Sequence, residues 1–435
     1  MHFYKNFFLN KLFLVSRINL LLFYFIYLLL IICSSIIFCN LFINQFPEII
    51  DSNFNLVLKN MQFQFGDLIH NFYYNHSYSQ KDHNDIIFQL RRLPAVVFII
   101  SFLYNISKNF YFIIIFKNII FFSIFYITSY KLLINNKNNF LAFFLVILTP
   151  ILIPYNFYVA LNFTYEDFII SILLPLLYLS LISNYVYKYL IISSLLFILY
   201  FTKTSMFFLV LILPFLIFFF DKEKKRLKLL PFFVCLLAIL IWGFYGLHKT
   251  GRFPFASSGS TDNSRSLSSA FNIDFHNYYP EKSTDLVPLN NDLPKNVKSE
   301  WEFYDFYNVQ NKNYLENNIK RYFFDFFIKA KFIFFGVHRD GALPDKSGIY
   351  DNNIRYSLVF NKIFFNLGII FATYFLIKNF KKIDPKDFYF LLIVFLNLLP
   401  HLYGWATSRH LVPVNNIAII YLILRFNNKI ESINN

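Results

Sequence analysis

The sequence contains few charged residues for its length. Only 15% of its 435 residues are Asp, Glu, Lys or Arg, whereas soluble globular domains carry about 25%. Hydrophobic residues make up 57% of the chain, and the mean hydropathy is +0.47. A soluble chain of this composition would leave much apolar surface in water. The composition therefore excludes an ordinary soluble enzyme and a disordered protein, and it is typical of a polytopic membrane protein.

Cysteine is equally scarce. The three cysteines, Cys33, Cys39 and Cys235, lie in apolar runs and form neither a Cys-x-x-Cys pair nor a zinc-binding spacing. Their number and position exclude a disulfide framework and a cysteine-rich metal site.

Acidic residues are outnumbered, 25 against 40 Lys and Arg, which gives a net charge of +15. The basic residues form short clusters between apolar runs, and the clearest cluster is Asp221–Lys228 (DKEKKRLK). Such clusters are typical of loops retained on the cytoplasmic side of a membrane. The sequence therefore predicts a lipid bilayer as a partner, and no nucleic acid.

About ten apolar runs approach the roughly 20 residues that a spanning helix needs, and both termini are predicted to lie inside. These runs are Ile18–Asn44, Phe110–Leu132, Phe140–Tyr158, Phe168–Ser183, Tyr189–Phe201, Ser205–Phe220, Leu229–Leu247, Leu358–Ile377, Phe388–Tyr403 and Leu411–Leu424. A shorter run, Pro94–Ile106, suits a helix that lies in the interface or dips part-way in. Taking it as a full span would place Asp221–Lys228 outside, against the charge rule.

The runs divide the chain into three parts. Residues 1–247 form a transmembrane module with a first outer loop at 45–92. Residues 248–357 form a large late outer loop, which contains a candidate amphipathic helix at Tyr314–Phe335. Residues 358–435 supply the last transmembrane helices.

Carboxylates gather at the predicted outer ends of the helices. Asp51 follows the first run, Asp67 lies later in the same loop, and Glu166 and Asp167 open the fourth run. A carboxylate at a membrane face can act as a general base toward a hydroxyl group or can hold a divalent metal. The alternative interpretation is that each is a solvated loop carboxylate.

Basic side chains occur at the same predicted outer ends. They are Arg91, Arg92, Lys203, Arg409 and His410. Cations at this depth suit a phosphate-bearing lipid, and arginine can bind phosphate with two parallel hydrogen bonds. The alternative is that they extend toward ordinary lipid phosphates as membrane anchors.

Four short motifs appear in a fixed order along the chain: Asp51-Ser52 with Gly66 and Arg91-Arg92-Leu93-Pro94; Thr164-Tyr165-Glu166-Asp167; Thr202-Lys203-Thr204; and Arg409-His410-Leu411-Val412-Pro413. Their order and predicted sidedness resemble the polyprenyl-phosphate-sugar-dependent glycosyltransferases of the GT-C fold. That superfamily includes the dolichyl-phosphate-mannose–protein mannosyltransferases and the bacterial aminoarabinose and lipopolysaccharide-core sugar transferases.

The resemblance implies a GT-C-like all-α membrane enzyme with interfacial helices in its first outer loop. Such an enzyme performs an inverting hexosyl or pentosyl transfer from a polyprenyl-phosphate donor to a lipid, glycan or protein acceptor. The location implied is the bacterial inner membrane, with the active site facing the periplasm.

The resemblance also implies roles for residues. Asp51 would be the general base, with Asp67 as the alternative, and Glu166 or Asp167 would position the substrate or a divalent metal. Whether Mg²⁺ or Mn²⁺ takes part is left open. The basic residues at the outer ends would bind the phosphate: Arg91, Arg92, Lys203, Arg409 and His410.

Three other functions remain open from the sequence. A polysaccharide ligase or polymerase also has a large late outer loop, although the early acid pair favours transfer of a single sugar. A lipid-linked-sugar flippase or transporter would show helices interrupted by glycine or proline near the midplane, whereas this chain has only ten glycines. A non-catalytic assembly scaffold is the third.

Overall fold

The computed structural model describes residues 17–45, 55, 65–81, 85–134, 140–153, 156–157, 165–221, 226–258, 297–317, 319–335, 349–403 and 411–433. This part of the chain is almost entirely helical. Its strands are β1 (Gln80–Lys81) and β2 (Ile87–Phe88), a short antiparallel pair in the first loop.

The α-helices follow the apolar runs of the sequence. In chain order they are α1 (Arg17–Gln45), α2 (Asp67–Asn75), α3 (Ala95–Ile106), α4 (Phe110–Leu133), α5 (Phe140–Leu152), α6 (Tyr165–Ile182), α7 (Lys188–Thr202), α8 (Phe207–Phe220), α9 (Leu230–Thr250), α10 (Glu300–Asn317), α11 (Ile319–Phe335), α12 (Ile349–Lys378), α13 (Pro385–Tyr403) and α14 (Val412–Ile433).

Four of the described helices contain segments long and apolar enough to cross a membrane: Leu20–Leu41, Phe110–Leu133, Arg226–Thr250 and Tyr356–Lys378. Their outward sides carry large exposed apolar side chains, such as Leu29, Phe233 and Ile370. An apolar surface of this extent requires lipid rather than water around it. The protein is therefore an all-α membrane protein.

Helix boundaries differ from the apolar runs where proline or polar sequence intervenes. The run Phe140–Tyr158 was predicted as one span, but α5 ends at Leu152, two residues before Pro154. The residue before a proline is driven away from helical geometry, which explains this stop. Conversely, α12 begins at Ile349, before the predicted start at Leu358. The short run Pro94–Ile106 forms the single 12-residue helix α3, as its length predicts.

The late loop contains more helix than its composition predicts. The candidate amphipathic helix Tyr314–Phe335 is instead two helices: α10 begins already at Glu300, and α11 begins at Ile319. Polar residues dominate α10, so its sequence carries no apolar stripe that would reveal it. Its first residues pack against the first loop through Phe303 and Tyr304.

The helix ends define two faces of the bundle. We call the loop face the one where α4, α6 and α14 begin and where α7 and α9 end; the predicted topology makes it the outer face. The opposite face holds the far ends of the same helices. Contacts there include a hydrogen bond from Ser183 Oγ to Leu132 O (3.2 Å) and an ion pair between Lys188 and Asp221 (3.1 Å).

Helix α6 lies at the centre of the bundle. Every side chain from Glu166 to Leu181 is buried, and the helix packs against α4, α7, α13 and α14. A helix that is apolar on all sides is stable only when neighbours surround it, which fits this position. The first turn of α6, at the loop face, carries Glu166 and Asp167. The centre of the fold thus fixes the two carboxylates in place.

Candidate functional site

Two carboxylates and one lysine form a buried cluster at the loop face. Lys203 follows the end of α7, and its Nζ lies 2.5 Å from Asp167 Oδ1 and 3.8 Å from Glu166 Oε1. All three side chains are at most 12% exposed. The first turn of a helix stabilises negative charge, which favours both carboxylates at this end of α6. We call these three residues the acid–lysine cluster.

Lys203 contacts a carboxylate of the protein, which its predicted role as a phosphate ligand does not include. The sequence assigns it to a phosphate, whereas here its ammonium group already contacts Asp167 at hydrogen-bond distance. A phosphate at this position would share the lysine with that carboxylate. Glu166 makes only the longer contact and is therefore the carboxylate more available to a ligand.

A strap, residues 252–258, crosses the loop-face ends of α7 and α9. Gly251 permits the turn into it because its φ of 76° lies in the left-handed region. Tyr200 donates to Phe255 O (2.8 Å), Trp242 Nε1 donates to Ala256 O (2.8 Å), and Thr204 Oγ1 lies 2.5 Å from Ser257 Oγ. The strap thereby holds the turn that carries Lys203.

Glu300 joins the first loop to the late loop. The side chain is 3% exposed and accepts hydrogen bonds from the backbone N–H groups of Gln89 (2.8 Å) and Leu90 (3.2 Å), and from the Ser258 hydroxyl. Burial raises the pKa of Glu300 above its ordinary value of 4.5, and the hydrogen bonds oppose this shift only in part. The contact fixes the backbone immediately before Arg91 and Arg92.

The two arginines follow this anchor and are half-buried. The Arg91 guanidinium lies 5.2 Å from the centre of the Phe88 ring, and that of Arg92 lies 5.5 Å from the centre of the Phe65 ring. Tyr78 donates a hydrogen bond to Arg92 O (2.8 Å). Within the described part of the chain, the buried Nε of Arg92 has no hydrogen-bond partner.

The pKa of the Tyr78 phenol is affected by charged groups of both the first loop and the acid–lysine cluster. Burial and the neighbouring Tyr245 raise its pKa well above 10.0; the Arg92 charge opposes the shift, and Glu300 and Glu166 add to it. Arg92 and Glu166 therefore lie within electrostatic reach of the same phenol. Leu90 O accepts a hydrogen bond from Ser258 N–H (2.9 Å), so the segment before the arginines lies at the loop face, the side on which the sequence predicts both it and the acid–lysine cluster.

Asp67 occupies the first turn of α2 and is half-buried. Burial raises the pKa of its carboxyl above the usual range, and nearby His70 opposes that shift. The helix α2 packs on α3 through Phe72 and Phe98, whose ring centres are 4.9 Å apart. No described contact joins Asp67 to the acid–lysine cluster.

A long apolar groove opens beside this cluster. Its volume is about 960 Å³, and its walls come from α3, α4, α7 and α9, with Phe98, Ile124 and Trp242 among the lining side chains. Polar groups, including His76 and Lys249, line its end at the loop face. The lining residues of α9 run from Ile241 to Lys249, so the groove extends roughly 12 Å along that helix at 1.5 Å per residue.

The groove and the acid–lysine cluster share a wall. Phe121 lines the groove, and its ring centre lies 5.9 Å from that of Phe168, the residue after Asp167. Tyr78 also lines the groove, and the charge of Glu166 contributes to the raised pKa of its phenol. A molecule with an apolar tail in the groove would therefore have its polar end at the loop face, near the first turn of α6.

The sequence motifs do not include two lysines that are buried in the structure, Lys117 and Lys362. Lys117 is fully buried in α4 with its Nζ 4.7 Å from the centre of the Phe168 ring, and Lys362 is buried in α12 and donates to Ile333 O. Each interrupts an otherwise apolar stretch, a pattern that marks functional positions in membrane helices. Glu300 gave no such signal, because it lies in a polar stretch.

Three predicted site residues, Asp51, Arg409 and His410, lie outside the described residues, so their assignments stay predictions. Among the residues that are described, no group of three or more His, Cys, Asp or Glu side chains is arranged to hold a metal ion. Comparison of the chain with protein-family models, curated proteins and solved structures finds no match in any of the three.

Proposed function

We propose that the chain is an integral membrane glycosyltransferase that moves a sugar from a polyprenyl-phosphate donor to a hydroxyl-bearing or amine-bearing acceptor at the loop face. The observation that carries this proposal is the shared wall between the apolar groove and the acid–lysine cluster. A polyprenyl-phosphate sugar has the same polarity pattern: a long apolar tail, an anionic phosphate and a polar sugar.

The groove suits the tail. Its volume of about 960 Å³ is at the upper end of the roughly 300–1,000 Å³ of small-molecule sites, and its walls are apolar along their length. It lies among helices whose outward sides face lipid, so a membrane lipid can occupy it without first entering water. The resemblance to the GT-C enzymes supports the same assignment.

The polar groups at the end of the groove suit the phosphate. Lys249 lines the rim, and the half-buried Arg92 lies two residues before Pro94, which also lines the groove. Cations so placed stabilise the negative charge that builds on a departing phosphate, and they do so strongly where water is excluded. Arg409 and His410 are predicted to join them.

The reaction itself is a single displacement. The acceptor oxygen or nitrogen attacks the anomeric carbon, the bond from that carbon to the phosphate oxygen breaks, and polyprenyl phosphate leaves with the electron pair. A carboxylate takes the acceptor's proton. Asp51 is the predicted base. Glu166, which Lys203 holds less tightly than Asp167, would orient the sugar or the acceptor.

Binding of the lipid tests the proposal directly. The purified protein in nanodiscs is titrated with undecaprenyl phosphate, with phosphatidylglycerol as competitor, and occupancy is read by native mass spectrometry. Ile120→Trp places a large ring in the groove, and we expect at least tenfold weaker binding. Ile370→Trp changes an exposed isoleucine of α12 that does not line the groove and serves as the matched control.

Equal binding in Ile120→Trp and wild type, or no preference over phosphatidylglycerol, would overturn the assignment of the groove. The chemical step is tested separately, by comparing the masses of envelope glycolipids and glycoproteins in cells with and without the protein. A lipid-linked sugar that crosses vesicles unchanged, with no transfer product, would identify a flippase instead.

A further inference from the structure

The last turn of α11 lies against α12. Lys362 of α12 donates a hydrogen bond from its Nζ to Ile333 O, and Asn366 Nδ2 donates to Phe334 O (3.0 Å). The rings of Phe334 and Phe365 also pack together, with their centres 5.8 Å apart. The C-terminal end of α11 is therefore fixed to one side of α12 by two polar contacts and one apolar contact.

The two polar contacts satisfy carbonyl groups that the helix itself leaves open. The last four carbonyl groups of an α-helix have no partner within the helix, and Ile333 O and Phe334 O belong to these in α11, which ends at Phe335. The lysine also places positive charge at the negative end of the helix dipole. Lys362 and Asn366 are four residues apart and so lie on the same side of α12. Such donors are needed where water does not reach the helix end, because water satisfies an exposed end.

These contacts lie within the membrane-spanning part of α12. The Arg425 guanidinium of α14 lies 4.0 Å from the centre of the Phe375 ring, so α12 ends at the opposite face and begins at the loop face. Its apolar segment is Tyr356–Lys378. At 1.5 Å per residue, Lys362 and Asn366 lie roughly 9 and 15 Å from the loop-face end of that segment. The hydrocarbon core is about 30 Å thick, so the last turn of α11 lies at the level of its loop-face half.

The end of α11 is as apolar as this depth requires. Eight of the ten residues Phe326–Phe335 are apolar, and the other two are lysines. Phe327 and Phe335 are 69% and 71% exposed, so most of each ring contacts the surroundings of the protein. Phe360 and Ile363 of α12, near the level of the contact with α11, are also about half exposed. The exposed apolar surface of α12 thus continues onto the end of α11.

A lysine lies on the same side of α11 as these exposed rings. Lys331 is exposed and lies between Phe327 and Phe335 at four-residue spacing. The side chains of a helix point toward its N-terminus, and the N-terminus of α11 follows directly on the polar helix α10, which packs on the first loop. The ammonium group of Lys331 can thus extend toward lipid headgroups while its methylene groups stay beside the two rings. This arrangement is typical of a helix that enters lipid from the membrane surface.

We propose that α11 enters the loop-face half of the bilayer with its C-terminal end, and that its partner there is the acyl-chain layer of the lipid. Lys362 and Asn366 keep the end at this depth, because carbonyl groups without donors are strongly disfavoured in hydrocarbon. The late loop, which the sequence predicts to lie wholly outside, therefore contains a membrane-inserted segment. This inference is independent of the proposed function.

The accessibility of spin labels tests the depth of α11. The full-length protein, with its three natural cysteines replaced by alanine, is labelled at Phe327→Cys or Phe335→Cys and placed in phosphatidylcholine nanodiscs. Power saturation compares collisions with oxygen, which concentrates among acyl chains, and with a water-soluble nickel chelate. The ratio of oxygen to nickel accessibility should be several-fold higher at Phe335→Cys than at Val309→Cys, an exposed position of α10. Phe327→Cys should give an intermediate ratio, and Ile363→Cys of α12 a ratio close to that of Phe335→Cys.

Substitution of the two donors tests what holds the helix end. Lys362→Met combined with Asn366→Leu removes both polar contacts at similar side-chain size. The accessibility ratio at Phe335→Cys should fall severalfold, because the freed carbonyl groups move toward water. The ratio at Ile363→Cys in the same variant should stay unchanged, which shows that α12 is still inserted. Lys378→Met removes an exposed lysine at the opposite end of α12 and is the matched control, with both ratios unchanged.

A ratio at Phe335→Cys as low as that at Val309→Cys would place the end of α11 in water and overturn the proposal. Low accessibility to both reagents would show that protein rather than lipid covers this end, with the same consequence. An unchanged ratio at Phe335→Cys in the double variant of Lys362 and Asn366 would overturn the role of the two donors.

Discussion

The two faces of the bundle each hold a group of two acids and one cation, buried at the loop face and partly buried at the opposite face, and the cation differs. On the opposite face Arg425 reaches both acids, with Nη1 2.6 Å from Asp384 Oδ2 and Nη2 3.3 Å from Asp387 Oδ2. Tyr421 donates to Asp387 as well (2.7 Å). At the loop face Lys203 makes one short contact, to Asp167, and leaves Glu166 at 3.8 Å.

The difference follows from the shape of the two side chains. Arginine is a planar fork with five donors and can serve two carboxylates at once, whereas the lysine ammonium is a compact point charge. Arg425 therefore contacts both of its acids. In the acid–lysine cluster, Glu166 lies 3.8 Å from the Lys203 ammonium, and a groove of about 960 Å³ lies beside the cluster. The two groups have the same composition, but at the loop face one carboxylate lies beyond hydrogen-bond distance of the cation.

The largest effect should come from the predicted base. Asp51→Asn should lower the turnover of sugar transfer by roughly 10²–10⁴-fold, because the amide keeps the shape but cannot take a proton. Binding of the polyprenyl-phosphate lipid should persist. Turnover is measured with a defined donor and acceptor.

Asp67→Asn is the matched control and should retain activity. Activity in Asp51→Asn together with loss in Asp67→Asn would reverse the assignment. Activity in both variants would remove the first loop as the source of the base.

Removing the two cations tests the comparison itself. Lys203→Met and Arg425→Met each leave buried carboxylates uncompensated, which should cost about 3–5 kcal/mol of stability. Thermal unfolding in detergent measures this loss. The Arg425 variant, assayed below its melting temperature, should keep its turnover, whereas Lys203→Met should lose it.

A second substitution separates charge from contact on the loop face. Adding Asp167→Asn to Lys203→Met should restore part of the stability by removing one unpaired charge, but it should not restore turnover. Full recovery of turnover in this double variant would make Lys203 a purely structural cation.

A smaller effect is expected at Arg92. Arg92→Gln should weaken binding of undecaprenyl phosphate about tenfold, equivalent to about 1.4 kcal/mol, because a charge-assisted contact to phosphate is lost. Arg252→Gln is the control, since Arg252 is half exposed and pairs with Asp305 at 2.8 Å. Equal affinities in the two variants would exclude Arg92 from the phosphate site.

The smallest effect concerns pH. Because the folded-state pKa of Glu300 is raised above 4.5, its contribution to stability is fully present below that value and is lost as pH rises through the raised pKa. The melting temperature should therefore fall with rising pH in this window. Glu300→Gln should remove that part of the slope. An identical slope in the variant would show that another group is responsible.

The sequence predicts the helices well because lipid imposes a simple rule. Any span must satisfy its backbone hydrogen bonds within itself, so apolar runs such as Phe110–Leu132 become helices with almost the expected ends. The rule also placed Lys203 and the acids on one face, where the structure joins Lys203 to Asp167.

The rest depends on contacts between distant segments, which no local pattern encodes. The partners of Glu300, the backbone of Gln89 and Leu90, lie about 210 residues away. The apolar groove likewise exists only where α3, α4, α7 and α9 meet.

The bond between Glu300 and the first loop sets an order of events during synthesis. The backbone N–H groups of Gln89 and Leu90 leave the ribosome long before residue 300, at roughly 5–20 residues per second. Glu300 is synthesised about ten to forty seconds later, after the short run Pro94–Ile106 and six predicted spans. The first loop can reach its final conformation only late, so a truncated chain ending before Glu300 would insert its helices and still lack a fixed Arg91–Arg92 segment.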